Sequence, residues 1–428
     1  MKKISIILLI LILSSVLLAA EAPISLEECI KIALKNNTTL LNAKATLEDY
    51  RLLKSVARSD FMPTISAGIS YRHQEWQRIY TLFSETNSST LYSPWFDLEQ
   101  TIWDGGHTIA NNKKSKSDYL ASKYDFEDVR QELIYSVEEA YLNLLKQRQL
   151  LGVYEETLKS STEALRRAES MEEVGSASRT DVLKARVKVE EDRLNLIIAQ
   201  TNLEVARANL NYLLGLDVNR ETTVAEVDPQ APLDLDYEDA VQIALENHPA
   251  LKKSQFDKES SKHTINMARS AYLPQLTGRY NFGYGTSKFY NLDTPLDNQY
   301  DWSAMLSLSI NLFDGLSTHA NISRAKVGKR AAQDNLEQAR RDVILEVKVA
   351  YLGLEEAEKS IVVATERVLS AEEDMKLSTA RYELEAGTIL EQIDAQLALT
   401  SARAQKIQAE YNYRFAQSRL TKAMGKLK

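Results

Sequence analysis

Trp302-Ser303-Ala304-Met305-Leu306-Ser307-Leu308-Ser309-Ile310-Asn311-Leu312-Phe313-Asp314 puts apolar residues at its even positions up to Leu312 and, Met305 apart, polar ones at the odd positions up to Asn311. Side chains of a strand point alternately to opposite faces, so this run spells a strand with one greasy and one wet face. It also has the roughly 9 to 11 residues that a tilted strand needs to cross a bilayer. Three further stretches share the pattern. Leu276, Gly278, Tyr280, Phe282 and Tyr284 alternate with Gln275, Thr277, Arg279, Asn281 and Gly283, and Ile65, Ala67, Ile69 and Tyr71 with Ser66, Gly68, Ser70 and Arg72. In the weakest of the four, Phe96, Leu98 and Ile102 stand against Asp97, Glu99 and Thr101. All four tryptophans (Trp76, Trp95, Trp103, Trp302) lie in or beside these runs, where interfacial aromatic girdles belong.

The rest of the 428-residue chain reads as helix, and its composition, 26% charged and 44% hydrophobic, is that of a folded protein. A net charge of −8 argues against a nucleic-acid partner, which would favour a basic surface. The single Cys29 excludes an intramolecular disulfide or a cysteine-based metal cluster, and the five histidines lack metal-ligand spacing. No phosphate-binding glycine loop and no nucleophile elbow occurs, so neither a cofactor nor a catalytic site is expected. At the N-terminus, Lys2 and Lys3 precede an apolar run from Ile6 to Leu13 and small residues ending at Ala19 and Ala20. That is a secretory signal pattern, which assigns 1–20 to a signal peptide. No later segment approaches 18 uninterrupted apolar residues, so an exported chain of this kind is either a periplasmic protein or a β-barrel.

A duplication of about 210 residues runs through the chain. Ile32-Ala33-Leu34-Lys35-Asn36-Asn37 returns as Ile243-Ala244-Leu245-Glu246-Asn247-His248, and Ala57-Arg58-Ser59 with Pro63 returns as Ala268-Arg269-Ser270 with Pro274. Trp103-Asp104-Gly105 answers Phe313-Asp314-Gly315, Ala140-Tyr141-Leu142 answers Ala350-Tyr351-Leu352, and Gly215 answers Gly425. The copies are placed at 21–215 and 236–428, with a linker at 216–235. Each holds a short helix, a second helix, an ascending strand opened by proline, a polar loop (74–91; 287–300) and a descending strand ending at Asp-Gly. Expected strands are about 63–73, 94–104, 274–285 and 302–313.

Beyond each strand pair lies a long segment free of proline. As helix, 106–174 would measure about 100 Å at 1.5 Å per residue. The chain turns near 175, and the returning helix repeats Val182, Ala185, Val189, Leu196, Ala199, Leu203, Ala206, Leu210 and Leu213 at spacings of three, four or seven. Asp192 is the interruption in that seam. The second copy turns near 385. Each copy therefore supplies two strands and a long antiparallel helical hairpin.

Four strands cannot close a transmembrane barrel, for which the smallest known need about eight. An open sheet would leave N–H and C=O groups unpaired in lipid, at several kcal/mol each. A cyclic homo-oligomer removes that cost, and three copies would give twelve strands. A secreted periplasmic structural coiled-coil protein is the alternative; it accounts for the helices but not for lipid-length strands duplicated together with them.

The duplicated opening helix, Ala-Arg-Ser with proline four residues after the serine, the Asp-Gly strand ending and the turn Val174-Gly175-Ser176-Ala177-Ser178-Arg179-Thr180-Asp181-Val182-Leu183-Lys184-Ala185 recur in one order across the whole mature chain. In this the sequence resembles the outer-membrane efflux protein family, the TolC-like channel-tunnels. The resemblance implies a mainly α fold with transmembrane β. Duplicated hairpins form an α-barrel, and four strands per chain complete a 12-stranded β-barrel in a homotrimer. It implies an outer-membrane location surrounded by lipid, a helical region in the periplasm, and service as a passive conduit for tripartite efflux or type I secretion. The partners it implies are a periplasmic adaptor protein and an inner-membrane transporter, docking at the hairpin tips Val174, Gly175, Ser176, Ala386, Gly387 and Thr388.

Rings of carboxylates in a channel favour cations. Glu391 and Asp394, three residues apart on one helical face, and Asp181 at the equivalent place in the first copy are the candidates for an entrance ring. The resemblance assigns Glu391 and Asp394 to the periplasmic entrance, with Tyr382 holding it closed against Asp181. The second tip departs from the first. Glu385 stands where Gly175 does, and the glycine comes two residues later as Gly387, which is expected to carry the left-handed residue further along the turn.

Overall fold

The computed structural model describes residues 23–79, 84–227, 235–285 and 300–427. The signal-peptide expectation for 1–20, most of the loop at 287–300 and part of the linker at 216–235 lie outside them. In order come α1 (Leu26–Asn36), α2 (Thr38–Ser59), β1 (Thr64–Ile79), β2 (Ser84–Asp104), α3 (His107–Glu173), α4 (Arg179–Leu214), α5 (Tyr237–Asn247), α6 (Pro249–Ser270), β3 (Gln275–Tyr284), β4 (Tyr300–Ser309), α7 (Ser317–Glu383) and α8 (Ile389–Ala423). The elements fall into two compact units, one built from 45–124 and 251–339 and the other from the remainder of the chain.

In the first of these units the strands form one antiparallel sheet in the order β1-β2-β3-β4. Register is continuous along β1 and β2, from Thr64 opposite Glu99 to Ile79 opposite Ser84. The polar stretch 74–91, expected as a loop, is therefore mostly strand. Apolar alternation marks only a face that must be buried, whereas backbone pairing continues through polar residues such as those from Thr86 to Thr90, whose side chains fit a solvated ribbon. The four tryptophans all lie in strands. A bulge between Thr101 and Trp103 re-aims the end of β2 before the chain enters α3.

Each strand pair passes into helix through an aspartate. Asp104 Oδ2 accepts from Thr108 N at 2.8 Å and from the Thr108 hydroxyl, and Asp314 Oδ2 accepts from Thr318 N at 2.8 Å and from Ser317 Oγ at 2.9 Å. These oxygens satisfy donors that the first turn of a helix leaves open. Helices α2 and α6 lie along the start of α3. Lys54 stands 4.7 Å over the Tyr119 ring, Tyr124 stacks on Phe256 at 5.6 Å, and Asp118 accepts from Lys114 at 2.6 Å and from the Ser260 hydroxyl.

In the other unit the core gathers Cys29, Ala33, Val137, Tyr141, Leu145, Leu210 and Leu214 from α1, α3 and α4. The Tyr141 hydroxyl lies 3.0 Å from the Ile24 carbonyl and 2.7 Å from that of Ala225, locking the short parallel bridge between Ile24 and Val224. Burial pushes the Cys29 thiol up to about 11, so it stays protonated and inert. Both return helices end on a left-handed glycine. A Cβ on Gly215 would come within 3.0 Å of the Asn36 carbonyl oxygen, and one on Gly425 within 2.9 Å of the His248 backbone. Among the described residues no helix is long and apolar enough to cross a membrane.

Candidate functional site

Both hairpin turns are built by the same backbone bonds. Helix α3 stops at Glu173; Gly175 N then donates to the Glu172 carbonyl at 3.0 Å and Ser176 N to the Met171 carbonyl at 2.8 Å. Helix α7 stops at Glu383; Glu385 N donates to Tyr382 at 3.1 Å and Ala386 N to Arg381 at 2.8 Å. This is a left-handed C-cap used twice. The left-handed residue is Gly175 (φ +81°) in the first copy and Glu385 (φ +55°) in the second. The expectation that Gly387 takes that role is thus corrected: the six-to-one bond fixes which residue must turn, whatever its identity. Gly387 serves close approach instead, since a Cβ there would lie 3.0 Å from Arg381 Cβ and 3.1 Å from a Glu391 carboxylate oxygen.

The returning helices restart on hydroxyl caps. Ser178 caps α4, with Asp181 reaching back to the Ser178 amide at 3.1 Å and hydroxyl at 2.7 Å; Thr388 caps α8 by accepting from Glu391 N at 3.2 Å. Asp181 is thereby committed to its own turn. Tyr382 is buried, and its hydroxyl has no hydrogen-bond partner among the described residues. Burial pushes the Tyr382 phenol above its ordinary range and the nearby Asp181 carboxylate adds to this, so the two are neighbours without being bonded. Glu391 and Asp394 both lie on α8, with Glu391 exposed and 3.6 Å from Arg381. Val174, Ser176, Ala386 and Thr388 stand at the turns, beside Gly175 and Gly387.

Sequence reasoning missed the contacts that bind the two hairpins. Arg167 pairs with Glu383 at 3.0 Å. Further along, Ser160 donates to Gln396 at 2.8 Å, the Thr157 and Thr400 hydroxyls meet at 3.0 Å, and Arg403 bridges Glu156 and Glu372 at 3.0 Å each. Apart from Arg403–Glu372, which lies within the second hairpin, these partners come from opposite copies, so no local spacing reveals them. Asp192 did leave a signal as the break in its seam: it is buried, 2.8 Å from the equally buried Lys188. Among the described residues no group of three or more His, Cys, Asp or Glu could hold a metal. What the turns offer is carboxylate charge at the end of a helical wall.

Residues 29–216 and 240–426 match the family model described as outer membrane efflux protein. The chain is 24% identical to the probable efflux pump outer membrane protein TtgC of Pseudomonas putida, over 94% of this chain and 83% of that one. It is also 24% identical to the outer membrane protein TolC of Escherichia coli strain K12, over 87% of this chain and 76% of that one. Among solved structures, the CmeC outer membrane channel of Campylobacter jejuni superposes with a TM-score of 0.84 at 20% identity, covering 94% of this chain and 85% of the other. That likeness establishes the fold.

Proposed function

The chain belongs to the outer membrane efflux protein family, is an outer-membrane efflux channel with a periplasmic helical tunnel, and, we propose, works as a homotrimeric passive conduit. It serves a tripartite pump, whose periplasmic adaptor and inner-membrane transporter dock at the hairpin tips and supply the energy.

The observation that carries the trimer is the sheet with two open edges. Among the described residues β1 and β4 each pair on one side only, and lipid does not tolerate such an edge. Neighbouring copies satisfy it, and three give twelve strands, a size within the known range of membrane barrels. The helices support the same assembly. Leu183, Val187, Leu194, Ile198, Val205 and Tyr212 on α4 recur by four and seven and are exposed, as are Val349, Val363, Leu377 and Leu384 at multiples of seven along and just past α7. Helices α3 and α8 are tied to each other within the chain, which leaves α4 and α7 to face neighbours. In this assembly each copy, 21–215 and 236–428, contributes one hairpin and one strand pair, joined by 216–235.

In a ring each chain contributes Glu391 and Asp394 once, and their carboxylates select cations at the periplasmic entrance. Tyr382 and Asp181, set side by side, are the contacts that narrow it. Planar-bilayer recording of detergent-extracted protein tests the conduit directly; discrete conductance steps are expected, and a water-soluble monomer that never conducts would refute the reading. In the paired variant Glu391→Gln with Asp394→Asn, the reversal potential in a salt gradient should move toward zero, whereas an unchanged potential removes these residues from the selectivity ring.

A further inference from the structure

The polar face of the sheet holds a large aromatic residue that lipid does not explain. Pairing sets Phe96 opposite Phe282 and Phe282 opposite Trp302, so these share the apolar face, whereas Trp95 lies opposite Gly283 on the face of Asp97 and Glu99. Alternation along β2 therefore turns Trp95 away from the apolar side. It is 39% exposed there. A membrane-interface girdle, which needs its rings on the lipid side, does not account for it.

The row that contains it reads Gly68, Trp95, Gly283, Asp301 across the four strands. The indole leans over Gly68, where a Cβ would come within 2.8 Å of the ring atoms Cε2 and Cζ2, so close approach requires that glycine. Gly283 has no such reason. A Cβ there would meet nothing within 4 Å, its φ is not left-handed, and the bulge of β2 lies elsewhere, between Thr101 and Trp103. A strand glycine with none of these duties marks a place where something else approaches the backbone. The open space over it is bounded by Trp95 and Asp301, two strand spacings or roughly 10 Å apart. Its charge is negative. Glu99 is paired with Arg279 at 2.6 Å, but Asp97 accepts only from the neutral amide of Asn281, at 3.4 Å. Asp301 is exposed and has no ion-pair partner among the described residues. An open indole face beside two uncompensated carboxylates attracts cations and repels anions.

We propose that the notch over Gly283 binds an aromatic organic cation passing through the lumen, with its ring stacked on Trp95 and its charge facing Asp301 and Asp97. The proposal rests on the channel reading, in which the polar face of the sheet lines the lumen, and it adds a cargo contact inside the β-barrel. Each chain supplies one such notch, built from its own four strands. Because the carboxylates are solvated, binding weakens as salt rises.

The test is equilibrium dialysis of detergent-solubilised full-length protein against N-methylquinolinium, with uncharged quinoline as the control; uptake by micelles is common to all variants and subtracts. Saturable binding of the cation is expected, with quinoline bound more weakly. Trp95→Leu keeps an apolar side chain but loses the indole face, and should weaken binding about fivefold, within the range of a partly desolvated cation–π contact. Asp301→Asn, the mildest change, should weaken it about threefold. Gly283→Leu fills the notch from a position free of left-handed strain and should abolish binding. Absence of saturable binding, equal binding of quinoline and the cation, or affinity untouched by Asp301→Asn and Gly283→Leu overturns the proposal. The same preparations are recorded in bilayers, where conductance steps show that the barrel has formed. Conductance without cation binding removes the notch and leaves the channel standing, whereas failure of the unaltered protein to conduct removes the channel itself.

Discussion

Glu385 holds a conformation that glycine holds in the twin turn, and the difference has a measurable size. A left-handed L residue costs roughly 1–2 kcal/mol, part of which glycine recovers before its own greater unfolded-state entropy is counted. Glu385→Gly should therefore raise the thermal midpoint by a few degrees, readable by circular dichroism. A lowered midpoint would mean that the carboxylate stabilises the turn. At the α5–α6 junction the sign depends on pH. His248 lies 3.4 Å from Glu346, and their hydrogen bond holds the Glu346 carboxyl below its ordinary range against the opposing effect of burial. A depressed carboxyl adds stability above its unfolded pKa, near ~4.3, and loses it as pH falls through the folded value. Glu346→Gln should thus lower the midpoint at neutral pH, with the deficit closing on acidification. Asp128, raised chiefly by burial, predicts the reverse: Asp128→Asn should stabilise at neutral pH, and its gain should fade as pH falls. Midpoints of both variants against pH check the two signs. What the sequence told about these residues was their type and register. That Glu385 and not Gly387 turns left-handed depended on the carbonyl that captures Ala386 N.

At the scale of elements, helix α4 carries a buried ion pair in an otherwise apolar seam. Lys188 and Asp192 stand one turn apart, and Asp192 Oδ2 has no partner among the described residues. Removing one partner of a buried pair leaves a charge without compensation, at about 3–5 kcal/mol, while replacing both by apolar residues of similar size is near neutral or stabilising. Lys188→Met should accordingly destabilise the first hairpin severely, and Lys188→Met combined with Asp192→Leu should restore it. Denaturant midpoints of the three proteins decide the matter, and additive losses would show that the pair is not a unit. The existence of the helices was legible because 3.6-residue periodicity and the lack of proline are local properties. Strand length was legible only in part, since the mostly polar residues from His73 to Ile79 pair as well as the apolar ones before them.

For the whole molecule, the open edges of β1 and β4 define how copies meet. Cys29 is buried and is the only native cysteine, so introduced thiols report cleanly. A cysteine replacing Ser66 in β1, combined in turn with one replacing Ser303, Ser307 or Ser309 in β4, should give an oxidised ladder ending at three chains in at least one combination. Bands confined to two chains would refute the trimer. By itself the sequence determined the elements, their duplication and the need for neighbouring chains, because hydrogen-bonding period and the cost of an unpaired strand edge in lipid follow from residues adjacent in the chain. Only the tertiary structure decided that α3 joins α8 while one apolar row on each of α4 and α7 stays exposed, and that Arg167 reaches Glu383. Those contacts link residues more than two hundred positions apart, where packing alone chooses among many compatible charges and small side chains.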